Sequence, residues 1–504
     1  MIKTITDYLD ATVLRLPNKV AFSDEFRSVT FQEVRNEARK VASALVNLGI
    51  HKQPVAVFLD KRVECIHSML GTAYSGNFYT VLDVHMPLSR IEKILSVLQP
   101  AAIITDVAHA EQARTFSGGT ALVLYEDTLP IQPCEETLEH LHQRMLETDV
   151  LYVLFTSGST GTPKGVIISH KAVRAYLEWG AETFPLDETT VFANQTPFYF
   201  VMSGFDIYHT IRSGATMYIV PRSLFSFPLP LLEYLKEHRV NTLFWVPSVL
   251  CLVANLQALP EVHLPDLRLV MFGGEVMPSK QLNLWRREYP DVTYVNQYGP
   301  TELTDICAYY IVDREISDSE SLPIGIPCSH MELLLLDENN QEVPEGEIGE
   351  ICGRGPSVAY GYYNEPEKTR EVFVQNPVNT AYEEVIYRTG DLARYNKHHE
   401  LIYISRKDFQ IKHMGNRIEL GEIETATSSL DGVEQNCCLY DTAHSKVVLF
   451  YAGTVEPDAV RQALRQLVPE YMVPNRLVKM DALPQNLNGK IDRAALKEQF
   501  GRKK

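Results

Sequence analysis

At 504 residues the chain is too long for a single hydrophobic core, and its 45% apolar and 22% charged composition is that of a globular protein with about two to four folding units. Formal charge is −17, from 47 Lys+Arg against 64 Asp+Glu, which argues against nucleic-acid or anionic-membrane partners because both reward a basic face. The excess is uneven: from Ser405 onward 15 Lys+Arg meet 13 Asp+Glu, whereas the residues before it carry 32 against 51.

The N-terminus MIKTITDYLDATV is charged too early and too often for a signal peptide. No apolar run approaches the ~18 residues of a membrane span, so a cytoplasmic chain without membrane contact is expected. Further on, strand-like runs at 55–59 (VAVFL), 101–105 (AAIIT), 121–125 (ALVLY) and 241–246 (NTLFWV) alternate with helical patterns such as 90–99 and 229–238. That alternation predicts parallel sheets covered by helices. From about residue 330 the texture becomes short strands joined by turns such as Glu-Asn-Asn and Pro-Glu-Gly, which predicts a small antiparallel or barrel-like subdomain. Helical patterns return after Arg406, with a strand at 447–453 and a helix at 458–468. The eight cysteines show neither CxxC pairs nor zinc spacing, and adjacent Cys437 and Cys438 are badly placed for a mutual disulfide, so buried thiols are expected.

Five stretches carry chemistry. LYVLFTSGSTGTPKGV (151–166) is an apolar strand opening into glycines, hydroxyls and Lys164. Such a loop turns backbone N–H groups into one concavity and suits a polyphosphate, although it is no Walker A loop. VNQYGPTEL (295–303) sets Tyr298 before a Gly-Pro turn near Glu302, as either an ordinary surface turn or an aromatic face for a base with a carboxylate for Mg²⁺. In YRTGDLARY (387–395), Asp391 follows a Thr-Gly turn and suits either ribose hydroxyls or its own backbone. SRKDFQIKHMGNRIELGEIE (405–424) reads as strand–turn–helix, and NLNGKIDR (487–494) puts Lys490 on a tight turn.

In this order and spacing the five resemble, over nearly the whole chain, the motifs of the adenylate-forming superfamily: acyl-CoA synthetases, luciferases and nonribosomal peptide synthetase adenylation domains. Free-standing enzymes such as D-alanine–carrier protein ligases are the most similar kind. The resemblance implies an α/β fold. Residues 1–404 would hold two helix-covered, mainly parallel sheets and a small β-barrel-like subdomain (about 325–404). Residues 405–504 would form a mobile α+β lid hinged near Asp408, with Gly415 facing the thiol tunnel. It also implies ATP and Mg²⁺. Thr156, Ser157, Ser159, Thr160 and Lys164 would hold phosphates, and Asn296 and Tyr298 adenine. Thr301 would meet the α-phosphate, Glu302 the magnesium, and Asp391 with Arg406 the ribose. Lys490 would bridge the acid and ATP during adenylation. The acyl acceptor would be the phosphopantetheine of a separate carrier protein, since neither HHxxxDG nor GxDS occurs; free CoA is the alternative.

The acid pocket departs from the pattern. Amino-acid-activating members read F-D-x-S, the aspartate pairing with the substrate α-ammonium; here Phe200 and Ser203 flank Val201. Asp206 occupies its own column, at the substrate-facing end of a strand. An ammonium buried against valine would cost several kcal/mol, so an α-amino acid is disfavoured. The remaining pocket positions are Met202, Phe205, Phe244, Met271, Gly273, Gln297, Asp305 and Ile306, with Gly273 leaving a slot for a flat group. Asp305 either accepts from a distal donor or sits at a watery rim. An aryl acid is expected first, then a β- or ω-amino acid, then a hydroxy or keto acid, with an amino acid–carrier ligase of remodelled pocket as the alternative.

Overall fold

The computed structural model describes residues 2–157, 162–407, 410–442, 444–484 and 491–502. Cα packing divides the chain into two units, one of Met1–Val84, Leu98–Leu154 and Gly165–Lys407, the other of His85–Val97, Phe155–Lys164 and Asp408–Lys504.

A nine-stranded sheet organises the first unit, in the order Ile326–Pro327, Ala308–Ile311, Thr293–Tyr298, Leu269–Gly273, Thr242–Trp245, Val191–Asn194, Thr216–Ile219, Val20–Ser23, Ser28–Thr30. The six strands from Thr293–Tyr298 to Val20–Ser23 are mutually parallel, and the edge strands antiparallel. Runs such as LVMFG and TLFW are buried throughout, as a sheet covered on both faces requires. A six-stranded sheet has the order Ala121–Leu124, Ala102–Thr105, Pro54–Phe58, Phe78–Leu82, Val150–Thr156, Lys164–Ser169. Five antiparallel strands between Glu332 and Arg406 form the subdomain expected from the turn-rich texture.

Two local expectations change. The stretch beyond Met202 is not a strand end: Ser203–Ser213 is a helix, closed by Gly214 in the left-handed region at φ +83°. Every residue from Phe205 to Ile211 is buried, so no alternating face exists to distinguish strand from helix. Thr389-Gly390 is likewise no turn. It lies within the Val385–Tyr395 strand, where Gly390 at φ +73° accompanies a register shift against Gly349–Arg354.

In the second unit, Gln410–His413 and Asn416–Glu419 form a hairpin through Met414 and Gly415, both at positive φ, before the helix Leu420–Ser428. The expected strand–turn–helix therefore contains a second strand. A three-stranded sheet follows, ordered Val433–Asp441, Lys446–Gly453, Arg476–Met480. All eight cysteines are free, six of them buried. Among the described residues no helix is long and apolar enough to cross a membrane.

Candidate active site

The strand Thr293–Tyr298 carries Asn296, Gln297 and Tyr298 to its C-terminal end, where the chain doubles back tightly. A Cβ on Gly299 would lie 1.9 Å from the Asp305 carbonyl oxygen, so only glycine fits the crossing. Thr304 and Asp305 sit in the left-handed region at φ +54° and +75°, backbone strain of the kind that gathers at functional sites. Asn296 Nδ2 donates to the Pro323 carbonyl at 2.7 Å. Tyr298 Oη donates to Asp391 Oδ2 at 2.6 Å, and Arg406 Nη1 donates to Asp391 Oδ1 at 2.8 Å. Asp391 and Arg406 are register partners on adjacent strands, which is why Arg406 reaches the carboxylate that Tyr298 meets. Burial and the neighbouring Asp391 raise the Tyr298 phenol well above its ordinary value, so it stays a donor.

Thr301, Glu302 and Leu303 form one 3₁₀ turn after that crossing. Glu302 is fully buried and its Oε1 accepts from Tyr362 Oη at 2.8 Å. Thr156 closes the strand Val150–Thr156 and Lys164 opens the strand Lys164–Ser169, so the two bracket the glycine-rich loop. Ser157 Oγ donates to the Arg417 carbonyl at 2.8 Å. Thr156 Oγ1 is buried without a partner among the described residues, a donor suited to a phosphate oxygen. Ser159, Thr160, Asp408 and Lys490 lie outside the described residues.

Some of the expected acid-pocket positions touch one another. Met202, Phe205, Phe244, Met271 and Ile306 belong to one buried apolar cluster, with Val201 half-buried against it. Phe205 meets Phe244 edge-on at 5.1 Å between ring centroids, and Gln297 Nε2 lies 3.5 Å from Met271 Sδ. Asp305 is no rim residue: it is buried and its Oδ2 accepts from Tyr176 Oη at 2.6 Å. The slot expected at Gly273 does not exist. A Cβ there would stand 2.8 Å from the Gln297 carbonyl oxygen, so the glycine serves close strand approach.

Asp206 belongs to a different arrangement. Its Oδ2 accepts from Asn194 Nδ2 at 2.9 Å, and Lys61 Nζ donates to the Asn194 and Gln195 carbonyls at 3.1 and 2.9 Å. Burial raises the Asp206 carboxyl to about 8. This residue anchors the strand end that leads into the Val201 turn.

The family model described as AMP-binding enzyme matches residues 9–363. This chain belongs to that family. The L-proline–[L-prolyl-carrier protein] ligase of Streptomyces coelicolor is 33% identical over 515 residues, 95% of each chain. The D-alanine–D-alanyl carrier protein ligase of Bacillus velezensis is 30% identical over 513 residues, 99% of each chain. The Vibrio cholerae adenylation domain AlmE, solved with glycyl-adenosine-5'-phosphate, is 23% identical and superposes with a TM-score of 0.84 over 100% of this chain and 98% of its own. The resemblance read from the motifs and the α/β architecture are both borne out.

For an AMP-binding enzyme the motif order is informative, but several supporting residues carry no sequence signal. Tyr362, Tyr176, Asn194 and Lys61 lie outside the five motifs and reach Glu302, Asp305 or the Asp206 anchor only through the tertiary fold.

Proposed function

We propose that this AMP-binding enzyme is an ATP-dependent acid–thiol ligase whose substrate lacks an α-amino group. An oxygen of the acid's carboxylate attacks the α-phosphorus of ATP and pyrophosphate leaves, giving an acyl-adenylate. The phosphopantetheine thiolate of a separate carrier protein then attacks the acyl carbonyl, and AMP leaves. Two anions must meet in the first step, so its barrier is electrostatic.

Asn296, whose amide nitrogen is engaged by Pro323, would offer its oxygen to the adenine amine beside Tyr298. Asp391, steadied by Tyr298 and Arg406, would take the ribose hydroxyls. Thr156, Ser157, Ser159, Thr160 and Lys164 would hold the phosphates and Thr301 the α-phosphate. Glu302 suits one Mg²⁺, which binds through one or two carboxylates with phosphates and water and would draw charge off the phosphate oxygens. Lys490 would neutralise the approaching carboxylate. Residues 405–504 would turn about Asp408 between the two steps and bring Gly415 to the thiol.

The observation that carries the substrate reading is Val201. It stands in the turn before the Ser203–Ser213 helix, while Asp206, the nearest carboxylate in sequence, is engaged by Asn194. Aromatic walls at Phe205 and Phe244 favour an aryl acid, ahead of β- or ω-amino acids and hydroxy or keto acids. The carrier acceptor is supported by the carrier-protein ligases among the relatives. Mass spectrometry of a holo-carrier protein incubated with enzyme, ATP and acid tests it, with free CoA as the competing acceptor. Lys490→Ala should abolish adenylate formation yet largely spare thiolation of supplied adenylate; equal loss of both would sink the two-conformation assignment.

A further inference from the structure

Residues 485–490, which include Lys490, lie outside the described residues, but the chain is described on both sides of them. Both sides are fixed within the second unit. Leu483 is buried and its N–H donates to Gln435 Oε1 at 2.9 Å. The Asp492 N–H donates to the Pro484 carbonyl at 2.8 Å and so closes the two ends on each other. Ile491 packs against the buried cluster that holds Leu483 and Leu496. Asp492 then caps the helix Arg493–Arg502, its Oδ1 accepting from the Ala495 N–H at 3.0 Å.

A charged hold is added at Arg493, three positions after Lys490. Arg493 Nη2 lies 2.6 and 2.7 Å from the two carboxylate oxygens of Glu424, on the helix Leu420–Ser428. Its Nη1 donates to the Cys438 carbonyl at 2.8 Å, and Glu424 Oε1 accepts from the Cys438 N–H at 2.6 Å. Cys438 pairs in register with Leu449 from the strand Val433–Asp441, an outer strand of its three-stranded sheet. An antiparallel edge strand turns the N–H and C=O of alternate residues outward. At Cys438 one ion pair takes both, as a neighbouring strand would. The Arg493 and Glu424 side chains are 25% and 20% exposed, so water and salt screen the pair less than one on the open surface. The helix is already seated through fully buried Leu496 and capped by Asp492. What Arg493 adds is the fixed direction in which the chain passes from Ile491 into the helix.

We infer that Arg493 and Glu424 are positioning residues for adenylate formation, clamping the chain beside Lys490 to a helix and a sheet edge at once. The inference rests on the role proposed above for Lys490. A lysine that must meet two anions depends on exact placement, since a displacement of ~1 Å can cost about 100-fold in rate. The planar guanidinium reaches a carboxylate and a carbonyl together, which a lysine ammonium at the same place matches only in charge. The clamp acts on the first half-reaction alone, because thiolation does not use Lys490.

The test uses the full chain as wild type, Arg493→Ala, Arg493→Lys, Glu424→Gln, Glu424→Ala and the double alanine variant. ATP–pyrophosphate exchange is measured with whichever of benzoate, β-alanine, lactate and phenylalanine the wild type uses best. Thiolation is measured from the corresponding acyl-adenylate supplied directly. Hydrogen–deuterium exchange of the peptide 485–492 is followed by mass spectrometry, with the strand Lys446–Gly453 as internal reference. Arg493→Ala should lower the kcat of exchange about 100-fold, with the KM for ATP and the thiolation rate each within about threefold of wild type. The peptide 485–492 should exchange at least about tenfold faster and the reference strand at its wild-type rate. Arg493→Lys should recover about a tenth of the wild-type kcat. The double variant should match the worse single to within about twofold, since both changes open one clamp. If Arg493→Ala does not fold, Glu424→Gln decides; it keeps an acceptor for the Cys438 N–H and should still slow exchange about fivefold without slowing thiolation. An unmoved kcat in a folded variant, or equal loss of exchange and thiolation, overturns the inference while leaving the ligase reading intact. Faster amide exchange at 485–492 in a protein that gives no pyrophosphate exchange with any of the four acids would support the clamp and overturn the ligase reading instead.

Discussion

Val201→Asp should turn the enzyme towards α-amino acids. Val201 is half-buried, and its carbonyl accepts from the Gly204 amide at 2.9 Å as the Ser203–Ser213 helix begins. A carboxylate placed there sits at a helix N-terminus, which favours it by about 0.3–1 kcal/mol and offsets part of its desolvation. An ammonium about 4 Å away gains ~4 kcal/mol at an effective dielectric near 20. Desolvation and ordering leave a net of roughly 2–3 kcal/mol, or about 30- to 150-fold in kcat/KM. The assay is pyrophosphate exchange with phenylalanine against 3-phenylpropionate, the pair differing only in the ammonium. The ratio should move by that factor towards phenylalanine in Val201→Asp, and by less than about threefold in Val201→Asn, which has the shape without the charge. A folded Val201→Asp enzyme with an unmoved ratio would refute the reasoning, as would a wild type that already prefers phenylalanine.

Three further outcomes follow from the same geometry. Tyr298→Phe removes the 2.6 Å donor to Asp391 and should raise the KM for ATP about tenfold, measured by exchange at varied ATP. Asp206, raised from 3.8 to about 8, keeps in the native state a proton that the unfolded chain releases. Its contribution is therefore fully present below about pH 4 and lost as pH rises towards 8. Lys61, lowered to about 7, acts with the opposite sign only above that value. Urea titrations at pH 4.5, 6 and 7.5 should show wild type losing stability relative to Asp206→Asn as pH rises; the reverse slope contradicts the assignment. Within the second unit, Arg90 pairs with Glu422 and both are almost wholly buried. Arg90→Ala should cost about 3–5 kcal/mol in chemical denaturation, and Arg90→Met with Glu422→Leu far less, because the double change strands no charge.

Residues whose order along the chain is itself the signal are legible without a structure. The Gly-rich loop, Tyr298-Gly-Pro, Thr-Gly-Asp and the Gly489-Lys490 stretch each restrict backbone and chemistry locally, so their joint occurrence identifies the family without any contact being known. Val201 is legible for a related reason, as a departure from a local pattern. The Ser203–Ser213 helix is easily mistaken for a strand end because burial on all sides erases the period that separates the two. Tyr176 shows what sequence hides: within HKAVRAYLEWG it reads as one more apolar-face residue, and its partner Asp305 is 129 positions away. His209 needs Gly180 beneath it, a relation no spacing rule contains. Gly273 misleads in the other direction, since a missing side chain looks like space until the neighbouring strand is seen to fill it.

Whether this enzyme has given up the α-ammonium site is read most plainly from ATP–pyrophosphate exchange across aryl, β-amino, hydroxy and α-amino acids with the wild-type protein. Exchange led by an aryl acid, with α-amino acids at background, is the expected result. Exchange with α-amino acids alone would show that Val201 has not removed that site, and the substrate reading would fall.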